Sequence, residues 1–135
     1  MVRAIGALKK SGATMRVLVF DDDAAIGRLV VRVATMSGME ATAVADAEAF
    51  EQQLRSDPPQ LIVLDLQLGN TDGVTQLRLL AEQHYAGSLV LISGFDARVL
   101  ETARMLGQVL GLKLAGVLEK PLQVAELQTM FEKLV

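Results

Sequence analysis

The chain has no cysteine, so neither a disulfide framework nor a thiolate-held metal belongs to it. Its 13 Lys and Arg against 16 Asp and Glu leave a net charge of −3, and the basic residues form no cluster, so no direct nucleic-acid partner is expected. No apolar run approaches the ~18 residues of a membrane span, and the N-terminal stretch lacks a signal-peptide core. No membrane partner is therefore expected, and a cytoplasmic location is the default. Internal repeats and low-complexity tracts are also missing.

What the chain does have is apolar bulk. At 51% hydrophobic over 135 residues, it can bury the core of one ordinary domain but is too short for two. Residues 1–14, with Lys9, Lys10 and Gly12, show no periodicity and are expected to be a flexible extension; the domain is expected to run over 15–135.

Short apolar runs alternate with longer amphipathic segments. Arg16 to Phe20 and Leu61 to Asp65 are continuous apolar runs rich in branched residues, the pattern of strands buried on both faces. Glu40 to Val44, Ser88 to Ile92 and Ala115 to Leu118 complete a set of five expected strands. Between and after them, helical spacing predicts helices over Ala24 to Ser37, Ala47 to Arg55, Gly73 to His84, Ala97 to Leu110 and Val124 to Leu134. Gly38 suits the position that closes the first helix, Asp46 can cap the second, and Pro58 with Pro59 interrupts the chain before the third strand. Strict alternation implies an α/β fold: a five-stranded parallel sheet, doubly wound in the flavodoxin-like manner, βα repeated five times.

In such a sheet the strands' C-terminal ends share one edge, where ligands bind. The first strand delivers Asp21, Asp22 and Asp23 there, the third Asp65, the fourth Ser93 and the fifth Lys120. Packed carboxylates repel one another, and a hard cation such as Mg²⁺ relieves that repulsion. A lysine and a hydroxyl beside them can bind the oxygens of a phosphoryl group, so the chemistry indicated is phosphoryl transfer to or from an aspartate.

These residues, with the run Asp65-Leu66-Gln67-Leu68-Gly69-Asn70-Thr71-Asp72-Gly73, the LISG ending at Gly94 and Glu119-Lys120-Pro121, occur in the order found in receiver domains of two-component response regulators. From Met15 to Val135 the chain resembles that family. The resemblance implies that Asp65 accepts a phosphoryl group from a histidine kinase or histidine phosphotransfer protein. It implies a Mg²⁺ held by Asp22 directly, Asp21 through water, Asp65 and the Gln67 backbone carbonyl. Ser93 and Lys120 would then bind the phosphoryl group, and the Lys120–Pro121 bond would be cis. The implied role is signalling, with no enzyme activity beyond self-catalysed phosphorylation and dephosphorylation.

Plainer roles compete at several positions. Asp23 suits a helix cap and Asp72 a turn before the third helix. Ser93 can be an ordinary strand-ending turn residue, His84 a solvated helix-end residue, and the six methionines filler. Two rival functions stand beside the receiver. In one, Asp21 is the nucleophile and Asp23 the general acid of a small haloacid-dehalogenase-like phosphatase, which leaves Asp65 without a role. In the other, the chain is a receiver-like binding module that works without phosphorylation.

The chain also departs from the family pattern. Val117 stands where an aromatic usually swings on activation, Gly94 where alanine is common, and Gly69 where proline is common. Phe95 is expected to screen the phosphoryl group from water. The Ser93 to Lys120 stretch is long, and its ending resembles receivers fused to EAL-type phosphodiesterases. Val99, Leu100, Ala103, Met105, Leu106, Val109 and Leu110 spread over much of the fourth helix. Phosphorylation is expected to alter an output surface made by helix 4, strand 5 and helix 5, with helix 4 and strand 5 facing an effector domain or a second copy of the chain.

Overall fold

The computed structural model describes residues 14–68, 71–94 and 97–135. All but the last residue of the expected N-terminal extension lies outside the described residues, as do Gly69 and Phe95.

Five strands, β1 (Arg16–Phe20), β2 (Glu40–Val44), β3 (Leu61–Asp65), β4 (Ser88–Ser93) and β5 (Lys113–Glu119), alternate with five helices, α1 (Ala24–Met36), α2 (Ala47–Ser56), α3 (Gly73–Glu82), α4 (Ala97–Val109) and α5 (Val124–Leu134). The strands pair in parallel in the order β2-β1-β3-β4-β5, the doubly wound topology expected. That order reverses direction between β1 and β3, which places a ligand crevice beyond the ends of those two strands.

Alternate residues of each central strand feed two separate cores. Val17, Val19, Leu61, Val63, Val90 and Ile92 pack with Val30 and Val33 of α1 and Leu127 and Phe131 of α5. Leu18, Phe20, Ile62, Leu64, Leu89 and Leu91 point the other way, onto Phe50 of α2, Leu77 and Leu80 of α3 and Ala103 of α4. Burial on both faces is why β1 and β3 read as unbroken apolar runs.

Asp23 and Asp46 cap α1 and α2, their carboxylates accepting from the amides of Ala25 at 2.9 Å and Ala49 at 2.8 Å. Gly38, at φ +87°, turns the chain out of α1. The third helix stops at Glu82, short of the expected His84. His84 takes the left-handed conformation at φ 55°, and the Tyr85 amide donates back to the Leu80 carbonyl, a closing motif in which an exposed histidine stands where glycine is usual.

Strand β5 begins at Lys113, two residues before the expected Ala115. A register shift leaves Ala115 as an extra residue opposite the Leu89–Val90 step, which breaks the two-residue alternation a strand normally shows. A short antiparallel ribbon, Gln67–Leu68 with Thr71–Asp72, follows β3 and adds to the expected elements. It is closed from below by Gly73, where an added Cβ would lie 2.8 Å from the Leu66 Cα, so the first turn of α3 can approach β3 only with glycine there.

The apolar residues of α4 divide in two. Ala103 is buried and Val99, Leu100, Leu106 and Leu110 are half-buried against the core. Met105 and Val109 face outward, at 59% and 82% exposure, so the surplus apolar surface is narrower than the helix's composition suggests.

Candidate functional site

β1 and β3 are central strands, and the chain leaves both at the same edge of the sheet. Their last turns deliver Asp21 and Asp65 side by side, 1% and 0% exposed, while Asp22 stays in solvent. Carboxylates almost never take such burial without compensation.

Part of that compensation is local. The Asp23 amide donates to Asp21 Oδ1 at 2.9 Å, and the Gln67 amide donates to Asp65 Oδ1 at 3.0 Å. The rest comes from across the sheet. Lys120, just past β5, places its Nζ 2.9 Å from Asp65 Oδ2 and 3.5 Å from Asp21 Oδ2. Its backbone is tied to the neighbouring strand, its amide donating to the Ser93 carbonyl at 2.9 Å. The Lys120–Pro121 bond is cis.

One ammonium thus faces two buried carboxylates, and the protonation equilibria reflect the imbalance. Burial pushes the Asp21 carboxyl up to about 6, with the Asp65 charge adding to the push and the Asp23 amide and Lys120 opposing it. Burial alone would lower the Lys120 pKa; its hydrogen bond to Asp65 and the pull of both carboxylates outweigh this, so the group is raised and firmly cationic.

Asp21, Asp22 and Asp65 each offer a carboxylate oxygen within 4.8 Å of the others. Asp21 Oδ2 is buried without a hydrogen bond, its ion pair with Lys120 notwithstanding. An orphaned anionic oxygen beside two more carboxylates is a donor set that suits a hard divalent cation of the Mg²⁺ type.

The structure thus brings together Asp21, Asp22, Asp65 and Lys120, with Gln67 joined to Asp65 through its amide. Ser93, 3% exposed, ends the strand next to β3. Val117 lies apart from the carboxylates, half-buried on β5 in the core beneath α4. Two contributors leave little or no mark in the sequence. The Asp23 backbone amide, which steadies Asp21, is invisible in a side-chain pattern. Gly73, which lets α3 approach β3, is marked in sequence only as one glycine in a turn.

The response regulator receiver domain family matches residues 17–132. Among similar proteins is the regulatory protein VirG of Agrobacterium fabrum, 38% identical over 95 residues, which cover 70% of this chain and 36% of VirG. A response regulator from Colwellia psychrerythraea superposes with a TM-score of 0.79 at 30% identity, over 90% of this chain and 97% of that one. The receiver domain of NtrX from Brucella abortus does so with a TM-score of 0.75 at 27% identity, over 87% and 95%. The chain spans only 32–39% of the length of the VirG proteins it matches. In fold and in sequence over most of its length, this chain belongs to the receiver domains of two-component response regulators.

Proposed function

We propose that the domain, taken as 15–135, accepts a phosphoryl group on Asp65 from a phosphohistidine of a histidine kinase or phosphotransfer protein in the cytoplasm. The observation that carries this is a fully buried carboxylate held 2.9 Å from a lysine, beside two further carboxylates at one sheet edge. An Asp65 oxygen attacks phosphorus in line, the new P–O bond forms as the donor's P–N bond breaks, and the imidazole leaves. Lys120 moves its charge from the carboxylate to a phosphoryl oxygen, and the Ser93 hydroxyl binds another. Asp21, Asp22, Asp65 and the Gln67 carbonyl would hold Mg²⁺, which when bound neutralises charge on the transferring oxygens. Attack of water on the same phosphorus later restores the carboxylate and releases phosphate.

Incubation with acetyl phosphate and Mg²⁺ should add one phosphoryl group to the intact domain by mass spectrometry, and chelation with EDTA should abolish the gain. No gain with Mg²⁺ present would point instead to a binding module that works without phosphorylation.

The output surface in this reading is α4 with β5. Val117 has one stiff torsion and little volume, so it cannot sweep between packed and exposed positions, and a shift of α4 carries the change instead. Met105 and Val109 then form part of a contact with a second copy or an effector domain. Sedimentation of the beryllofluoride-activated domain should show self-association that Met105→Glu removes. If both remain monomeric and hydrogen exchange over 97–110 is unchanged on activation, α4 is scaffold.

A further inference from the structure

Among the described residues the five-stranded sheet ends at β2 on one side and β5 on the other, and the two edges are built differently. β5 carries an exposed lysine, Lys113, at its start and an extra residue at Ala115, two devices that keep a foreign strand from pairing there. β2 has neither. Its sequence, Glu-Ala-Thr-Ala-Val, lacks lysine and proline, and its register with β1 runs unbroken from Arg16–Glu40 to Phe20–Val44. The Glu40 amide donates to the Met15 carbonyl at 2.9 Å, and the Asp21 amide donates to the Val44 carbonyl at 3.2 Å, so Glu40, Thr42 and Val44 turn their backbone groups toward β1. By alternation, the N–H and C=O of Ala41 and Ala43 point off the sheet. The flanking helices leave that side open. Ala43, whose Cβ would lie 3.1 Å from one added at Gly27 of α1, is exposed, and so is Thr42, on the face that Val44 shares with Phe50 of α2.

We propose that the β2 edge pairs with the β2 edge of a second copy of the chain, antiparallel about a two-fold axis at Thr42, so that two sheets join into one. The strand is complementary to itself in this register. Ala41 stands opposite the partner's Ala43, and Ala43 opposite the partner's Ala41, as pairs that exchange both backbone hydrogen bonds, so the outward groups of each strand are satisfied by the other. On the axis Thr42 meets its own copy, a favourable cross-strand pair, and Glu40 meets the partner's Val44, so no charge faces its like. The contact lies at the opposite edge of the sheet from β5 and needs no phosphoryl group. With five residues a side it is small, and its population depends on protein concentration.

Sedimentation of the unphosphorylated domain in EDTA, over the widest range of concentration it tolerates, should show a monomer–dimer equilibrium. Thr42→Glu alone, or Thr42→Lys alone, sets like charges opposite each other on the axis and should weaken association roughly tenfold or more. An equimolar mixture of the two variants should associate at least as well as the parent, because each mixed pair carries opposite charges. In hydrogen exchange the Ala41 and Ala43 amides should slow as concentration rises, and the Thr42 amide, already turned toward β1, should change less. A parent that stays monomeric, a mixture no tighter than either variant alone, or exchange at Ala41 and Ala43 that ignores concentration overturns the pairing. So does association that Met105→Glu removes and both Thr42 variants leave intact, which assigns the contact to α4.

Discussion

Asp65→Asn is expected to take up no phosphoryl group from acetyl phosphate with Mg²⁺ present. An amide oxygen lacks the anionic charge that attacks phosphorus, and the next carboxylates cannot substitute. Asp22 stands in solvent, and Asp21 would be occupied in holding the cation the reaction needs. Asp23→Asn should label nearly as the parent does, because asparagine caps α1 as well as aspartate and keeps the backbone amide that holds Asp21. Asp21→Asn should label slowly, through weakened metal binding. Peptide mapping of the labelled domain checks each arm. Label surviving in Asp65→Asn, with loss confined to Asp21→Asn, would restore the phosphatase reading in which Asp21 is the nucleophile.

These residues stand out in the sequence because a buried parallel strand tolerates no charge along its length. The aspartate that closes LIVLD and the one that follows VLVF mark the strands' ends, and parallel topology sends all such ends to one edge. The central strands are therefore legible to within one residue of their ends, and the phosphoacceptor candidate with them. The edge strand β5 is harder. Its bulge at Ala115 reverses the alternation halfway, so Lys113 and Leu114 do not read as part of the strand that contains Val117 and Leu118. The ribbon at Gln67 is two residues a side, below any period a sequence window can register.

Helix 4 illustrates a different limit. Helical spacing shows that Val99, Leu100, Leu106 and Leu110 share a broad apolar arc with Met105 and Val109, but not how far neighbouring elements reach round it. Contacts from α3 and β5 cover most of that arc and leave only two large residues uncovered. Contacts made by backbone amides, such as Asp23 to Asp21 and Gln67 to Asp65, carry no residue signature at all. The pattern of side chains thus locates the reacting groups and misses much of what holds them in place.

The metal-free site should respond oppositely to removal of its cation and of one of its anions. Lys120→Met leaves two adjacent buried carboxylates without a counter-charge, and should cost the EDTA-treated domain about 3–5 kcal/mol at pH 7, the range for breaking a buried ion pair from one side. Asp21→Asn keeps the hydrogen bond from the Asp23 amide through its remaining oxygen and removes the repulsion, so it should stabilise the same domain. The folded Asp21 pKa, about 6, lies above the ordinary value of 3.8, so protonation favours the native state. The stability this gives is complete below about pH 4 and is lost as pH rises through about 6, leaving the parent at pH 7 less stable than the variant. Lys120 behaves differently because its raised pKa lies above 10.5, so its contribution is fully present at neutral pH and fades only in strong alkali. Urea unfolding of the three proteins in EDTA at pH 4 and pH 7 checks both signs. Asp21→Asn should track the parent at pH 4 and exceed it at pH 7, and added Mg²⁺ should close that gap by stabilising the parent more through its complete carboxylate set. An Asp21→Asn variant less stable than the parent at pH 7 in EDTA would mean that Lys120 and the Asp23 amide already satisfy both buried charges, and that repulsion is not what the cation relieves.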